Sequence, residues 1–178
     1  MLGNMALREY IWARLRGEGI VLCDDPAPMS RLEMLMERVQ TAIPGNILDG
    51  LHTLFAFRES EQPENLQGND GWFWWFDTPY GLFYAIGVSA ETLEQDEDYC
   101  ILVLLHEIAH LRSGQGHNAS FSGCLDKLIA QYNQASGAHI INDYTDILHP
   151  GSVARMDANG NPVKAPQIRT KRRGLSIR

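Results

Sequence analysis

Tyr99-Cys-Ile-Leu-Val-Leu-Leu-His106-Glu107-Ile108-Ala109-His110-Leu111 is the stretch that decides how this chain reads. It contains no proline or glycine, and Asp96, Glu97 and Asp98 stand where acidic side chains favour a helix N-terminus, so a helix is predicted. Residues four apart on a helix lie one above the other, which puts His106 and His110 on one face with Glu107 beside them. Directly behind the apolar run Ile101 to Leu105, such groups are costly unless paired or bound to metal. The donor pair suits zinc, whose catalytic sites leave one position open for a water made acidic by the ion. A neighbouring carboxylate can take that water's proton and hand it to a leaving amine, so Glu107 is the candidate general base.

A third ligand is required, and the sequence offers one nearby. Ser113-Gly114-Gln115-Gly116 should end the helix, since glycine readily adopts the left-handed conformation that turns the chain back. His117 follows at once. Beyond it Phe121, Leu125, Leu128, Ile129 and Tyr132 fall at helical spacing, so His117 is expected at the start of a second helix, facing the metal. Asp126, one or two turns further along, is the rival ligand.

His106-Glu107-Ile108-Ala109-His110, then Gly116-His117 and Phe121, resembles the H-E-x-x-H, short loop, H-x-x-x-F pattern of the SprT-like and WLM-type zincin metallopeptidases. The resemblance covers mainly residues 81–131. It implies that His106, His110 and His117 bind Zn2+, that Glu107 is the general base, and that Phe121 packs behind the third ligand. Metzincins would need glycine and histidine where Ser113 and Gly116 stand, and peptide deformylases would need an E-G-C motif that neither Cys23 nor Cys100 provides.

Upstream, Trp72-Phe73-Trp74-Trp75-Phe76 and Leu82 to Val88 flank the turn-rich Asp77-Thr78-Pro79-Tyr80-Gly81, which predicts an antiparallel hairpin. Its second strand, within Gly81 to Ser89, is read either as a zincin-type sheet edge above the cleft, where a peptide could add as a strand, or as an ordinary core strand. Five consecutive aromatics cannot enter one core, because successive strand side chains point to opposite faces; burial on two sides is the default expectation. Helices are expected over Met5 to Leu15 and Ser30 to Ile43, a strand over Leu51 to Phe57, and a surface loop over Glu59 to Asp70.

The 178 residues, 44% hydrophobic, can bury one substantial core. No stretch approaches a membrane span, and Arg8, Glu9, Arg14 and Arg16 make the N-terminus unlike a signal peptide, so no membrane partner is expected. Cys23, Cys100 and Cys124 do not form a paired framework, which points to a reducing cytoplasm. Of a formal net charge of -7, six positive charges (Lys164, Arg169, Lys171, Arg172, Arg173 and Arg178) crowd the final segment, leaving about -13 on the remainder. The division expected is a domain over 1–163 and a basic tail over 164–178, the tail able to meet nucleic acid or an acidic partner.

His139, Asp143, Tyr144, Asp146 and His149 are candidates for stabilising an oxyanion, though no spacing selects among them, and Asp126 and Asp143 are candidates for orienting a ligand imidazole. The whole reads as an α+β zincin-like domain, a small mostly antiparallel sheet with packed helices, that hydrolyses peptide bonds of a protein or peptide substrate. The alternatives are a zinc-stabilised, non-catalytic module binding protein or nucleic acid, and a regulatory protease with one dedicated partner.

Overall fold

The computed structural model describes residues 5–78, 81–114 and 117–142, with backbone segments at 155–156, 162–163 and 173–175. In chain order, α1 (Met5–Gly17) and α2 (Pro26–Ala42) precede β1 (Leu51–Phe57), and β2 (Gly71–Thr78) and β3 (Gly81–Ser89) form the expected hairpin. Three helices follow, α3 (Ala90–Leu93), α4 (Glu97–Ser113) and α5 (Ala119–Ser136). The short strands β4 (Arg155–Met156), β5 (Pro162–Val163) and β6 (Arg173–Leu175) come last.

The helix boundaries follow capping chemistry. Asp25 accepts a hydrogen bond from the Ala27 amide at 2.9 Å, and Pro26 occupies the first turn, where its missing N–H costs nothing. The helix expected from Ser30 therefore begins four residues earlier. Asp96 caps α4 by accepting from the Tyr99 amide at 3.0 Å, and Asn118 caps α5 by accepting from the Phe121 amide at 3.1 Å. Gly114, at φ 84°, stops α4 while its amide still donates to the His110 carbonyl at 3.0 Å.

The sheet is mixed and not mostly antiparallel. Its order is β1-β3-β2, with β6 added at the outer side of β2. β2 and β3 are antiparallel, but β1 pairs parallel with β3, and β6 parallel with β2 through Trp74 to Phe76. The reason is topological: residues 58–70 carry the chain past the position that β3 later fills, so β1 and β2 run in opposite directions without touching and β3 inserts between them. Strand periodicity carries no information about such neighbours. β3 is thus a central core strand and not the sheet edge; the strand at the edge of the central three, against α4, is β2. The segment 59–70 is also more than a surface loop: Gln62 is buried and clasps Val21 through both backbone groups, with Leu66 and Asn69 buried beside it.

Alternating side chains divide two cores. Phe55, Phe57, Trp72, Trp74 and Phe76 meet Ile11 and Leu15 of α1 on one face, with Trp72 stacked on Phe57 at 4.1 Å between centroids. Leu54, Ala56, Phe73, Ile86 and Val88 meet α2, α4 and α5 on the other. The aromatic run is buried on two sides, as strand geometry requires. Gly87 permits this packing, since a Cβ there would lie 2.3 Å from the Phe55 ring. Among the described residues, no helix is long and apolar enough to cross a membrane, and Cys23, Cys100 and Cys124 are free thiols. Cys100 is fully buried in packing, its Sγ 3.1 Å from the Thr92 carbonyl.

Candidate metal centre

α4 lies across the sheet with its entire stretch from Tyr99 to His110 buried, so the imidazoles arrive inside the protein and not at a solvated surface. His106 and His110 are 0% and 1% exposed, and Glu107 between them is 1% exposed. The turn after Gly114 brings His117 back ahead of α5, half-buried. Three ring nitrogens then converge. His106 Nε2 lies 3.0 Å from His110 Nε2 and 3.2 Å from His117 Nε2.

Those separations test what the cluster can hold. Nitrogen ligands about 2.0–2.1 Å from a tetrahedral zinc stand about 3.3 Å from one another, close to the spacing observed here. One neutral Nε2 can share a hydrogen bond with one neighbour at this distance, whereas a shared cation can take a ligand atom from each of the three rings, which all lie within 4.8 Å of one another. The group His106, His110 and His117 could hold a metal ion. Asp126 is not part of it: its Oδ1 accepts from the Asn142 side chain at 2.7 Å on the exposed side of α5.

The rings are oriented by their surroundings. Phe121 stacks on His110 with centroids 4.3 Å apart and meets His106 at 4.9 Å and His117 at 4.7 Å in T-shaped contacts. Phe73 of β2 also lies near-parallel to His110, with centroids 6.4 Å apart. His110 Nδ1 is 3.3 Å from the Gly114 carbonyl. Donation there fixes the tautomer that leaves the Nε2 lone pair for a metal. Gly114 is a residue whose role sequence reasoning missed. It was legible as a helix stop, but its position four residues after His110 also returns a carbonyl to the ring.

His139 is exposed and stands outside the cluster, while Asp143, Tyr144, Asp146 and His149 lie outside the described residues. Of the basic tail, only the backbone of Arg173–Leu175 is described, paired with β2. Glu107 leaves the helix toward the sheet, where its carboxylate comes against the first residue of β2. What the arrangement offers chemically is a three-nitrogen cation site with a buried carboxylate on the adjacent residue. No family model matches the chain, and no curated protein or solved structure matches it.

Proposed function

We propose that this protein is a zinc-dependent metallopeptidase of the zincin type, with His106, His110 and His117 holding the ion through their Nε2 atoms. The observation that carries the reading is the convergence of three imidazole nitrogens, 3.0 and 3.2 Å apart, beside a buried glutamate on the same helix. A bound zinc supplies Lewis acidity, polarising a carbonyl and lowering the pKa of a water toward neutrality. The donor count favours catalysis over a purely structural site: among the described residues the group comprises three side chains, where structural zinc takes four.

Glu107 does the proton work. Its carboxylate accepts the proton of the attacking water at one Oε atom and delivers it to the amine nitrogen as the peptide C–N bond breaks. Burial beside Val103 and the sheet keeps bulk water from competing for that proton. The Gly114 carbonyl holds His110 in the ligating tautomer, and Phe121 stacks against its ring.

Glu107→Gln separates binding from chemistry. The variant should retain about one equivalent of zinc by elemental analysis and lose casein cleavage by a factor on the order of 10² to 10⁴. Retained metal with undiminished cleavage would remove Glu107 from the mechanism. A wild-type protein that spares casein but cuts one co-purifying protein would identify a dedicated regulatory protease. A fourth protein ligand on the bound ion would identify a non-catalytic module.

A further inference from the structure

β2 begins on a glycine whose backbone conformation does not call for one: the positive-φ glycines of the chain do not include Gly71. Space calls for it instead. A Cβ built on Gly71 would stand 2.8 Å from Val103 Cγ1, 2.9 Å from Glu107 Oε1 and 3.1 Å from Glu107 Cγ. Carbon atoms do not approach this closely, so any side chain at this position must displace something. Val103 is β-branched, fully buried and stiff at χ1, so it yields less readily than a longer side chain. The group able to yield is the end of the Glu107 side chain.

Nor can the strand withdraw. Asp70, one residue earlier, accepts a hydrogen bond from Thr92 Oγ1 at 2.8 Å through its carboxylate and one from the Ser89 amide at 2.9 Å through its carbonyl. Ser89 in turn caps α3 by accepting from the Thr92 amide at 3.0 Å. Gly71 itself is paired with Val88 in the hairpin register. The start of β2 is therefore fastened to the segment that leads into α4, and the distance from Gly71 to Glu107 is set by the fold.

We propose that Gly71 is a positioning residue: its bare backbone forms the notch that fixes the carboxylate of Glu107, the residue next to His106 on α4. The proposal rests on the reading of Glu107 as the proton acceptor, but its geometric content can be measured without catalysis. The first experiment is a double-mutant cycle on thermal unfolding of chelator-treated protein. Gly71→Ala should lower the midpoint by several degrees in the wild-type background and by clearly less in the Glu107→Ala background, because the carboxylate that the new methyl meets is gone. Equal losses in both backgrounds would overturn the proposal. Should Gly71→Ala fail to fold, the same cycle in a Val103→Ala background, which removes the other close contact, gives the decision.

The second experiment is kinetic. Zinc-loaded Gly71→Ala should hold its metal to the wild-type level and lose kcat on casein on the order of 10²-fold with KM within about two-fold, the effect of misplacing a catalytic group by about 1 Å. A wild-type kcat would overturn the proposal even if the cycle shows coupling. If the wild-type protein itself fails to hydrolyse peptides while the cycle shows coupling, the catalytic reading has failed and the notch stands as what holds Glu107. Gly123→Ala, with open space around its Cβ, is the control and should leave metal content and kcat unchanged.

Discussion

The ring of Phe121 lies on that of His110, centroids 4.3 Å apart and planes 26° from parallel, and it meets His106 and His117 in T-shaped contacts. One phenyl group, 2% exposed on the first turn of α5, supports all three imidazoles at once. Replacing it by alanine should cost about 3–5 kcal/mol of stability in the metal-free protein. Zinc affinity should fall about 10- to 100-fold, as for the loss of groups that orient metal ligands. Denaturant unfolding and competition against a chromophoric chelator measure the two effects. An unchanged zinc affinity would mean that the rings hold their positions without it.

Metal removal should destabilise the fold. Zinc binding to the folded chain alone contributes about 4 kcal/mol at a free concentration a thousand times the dissociation constant. Thermal unfolding before and after chelation, then after zinc is restored, should show a midpoint that falls and recovers. A His110→Ala variant should show neither change.

His52 gives a pH dependence that can be signed. Its Nδ1 accepts a hydrogen bond from the Tyr84 amide at 3.1 Å, where the pairing of β1 with β3 shifts register between Leu51 and Thr53. Burial lowers its pKa below the ordinary 6.5, partly opposed by a hydrogen bond to the Gly50 backbone. A depressed histidine contributes stability that is complete above about pH 6.5 and is lost as pH falls through the lower folded value. His52→Gln, whose side-chain oxygen can still accept from Tyr84, should lose less stability between pH 7.5 and pH 5.5 than the wild type. Parallel urea midpoints in the two proteins would show that the imidazole is not the source.

Two glycines should respond oppositely to alanine. At Gly87 the new methyl overlaps the Phe55 ring, and overpacking of this kind costs about 1–3 kcal/mol or more. At Gly123, inside α5 with open space around it, alanine should stabilise by about 0.5–1 kcal/mol through helix propensity. Denaturant midpoints that moved in the same direction would contradict the packing described for the β1–β3 face.

The helical parts of the candidate site were legible because their signals are local. Histidines four apart, an acidic N-terminus and the glycine after Ser113 all lie within one or two turns of what they determine. The start of α2 was equally local, at Asp25-Pro26, but its capping signal was overlooked in favour of the apolar stripe that begins later. The strand neighbours were not legible, because the insertion of β3 between β1 and β2 is decided by the path of residues 58–70 and by packing against α2 and α4. Gly71 was illegible for the same reason: nothing in its sequence neighbourhood reveals that α4 passes above it. Gln62 shows the same limit in a polar loop, where a buried amide stands in for a strand partner of Val21.

The alternation along β2 places Gly71, Phe73 and Trp75 toward α4 and Trp72, Trp74 and Phe76 toward α1. A hairpin that zipped one residue out of step would present the Trp72 indole to Val103 and Glu107, where not even a methyl group fits. Misaligned chains thus exclude α4 from its seat, so this close approach doubles as a proofreading device for folding.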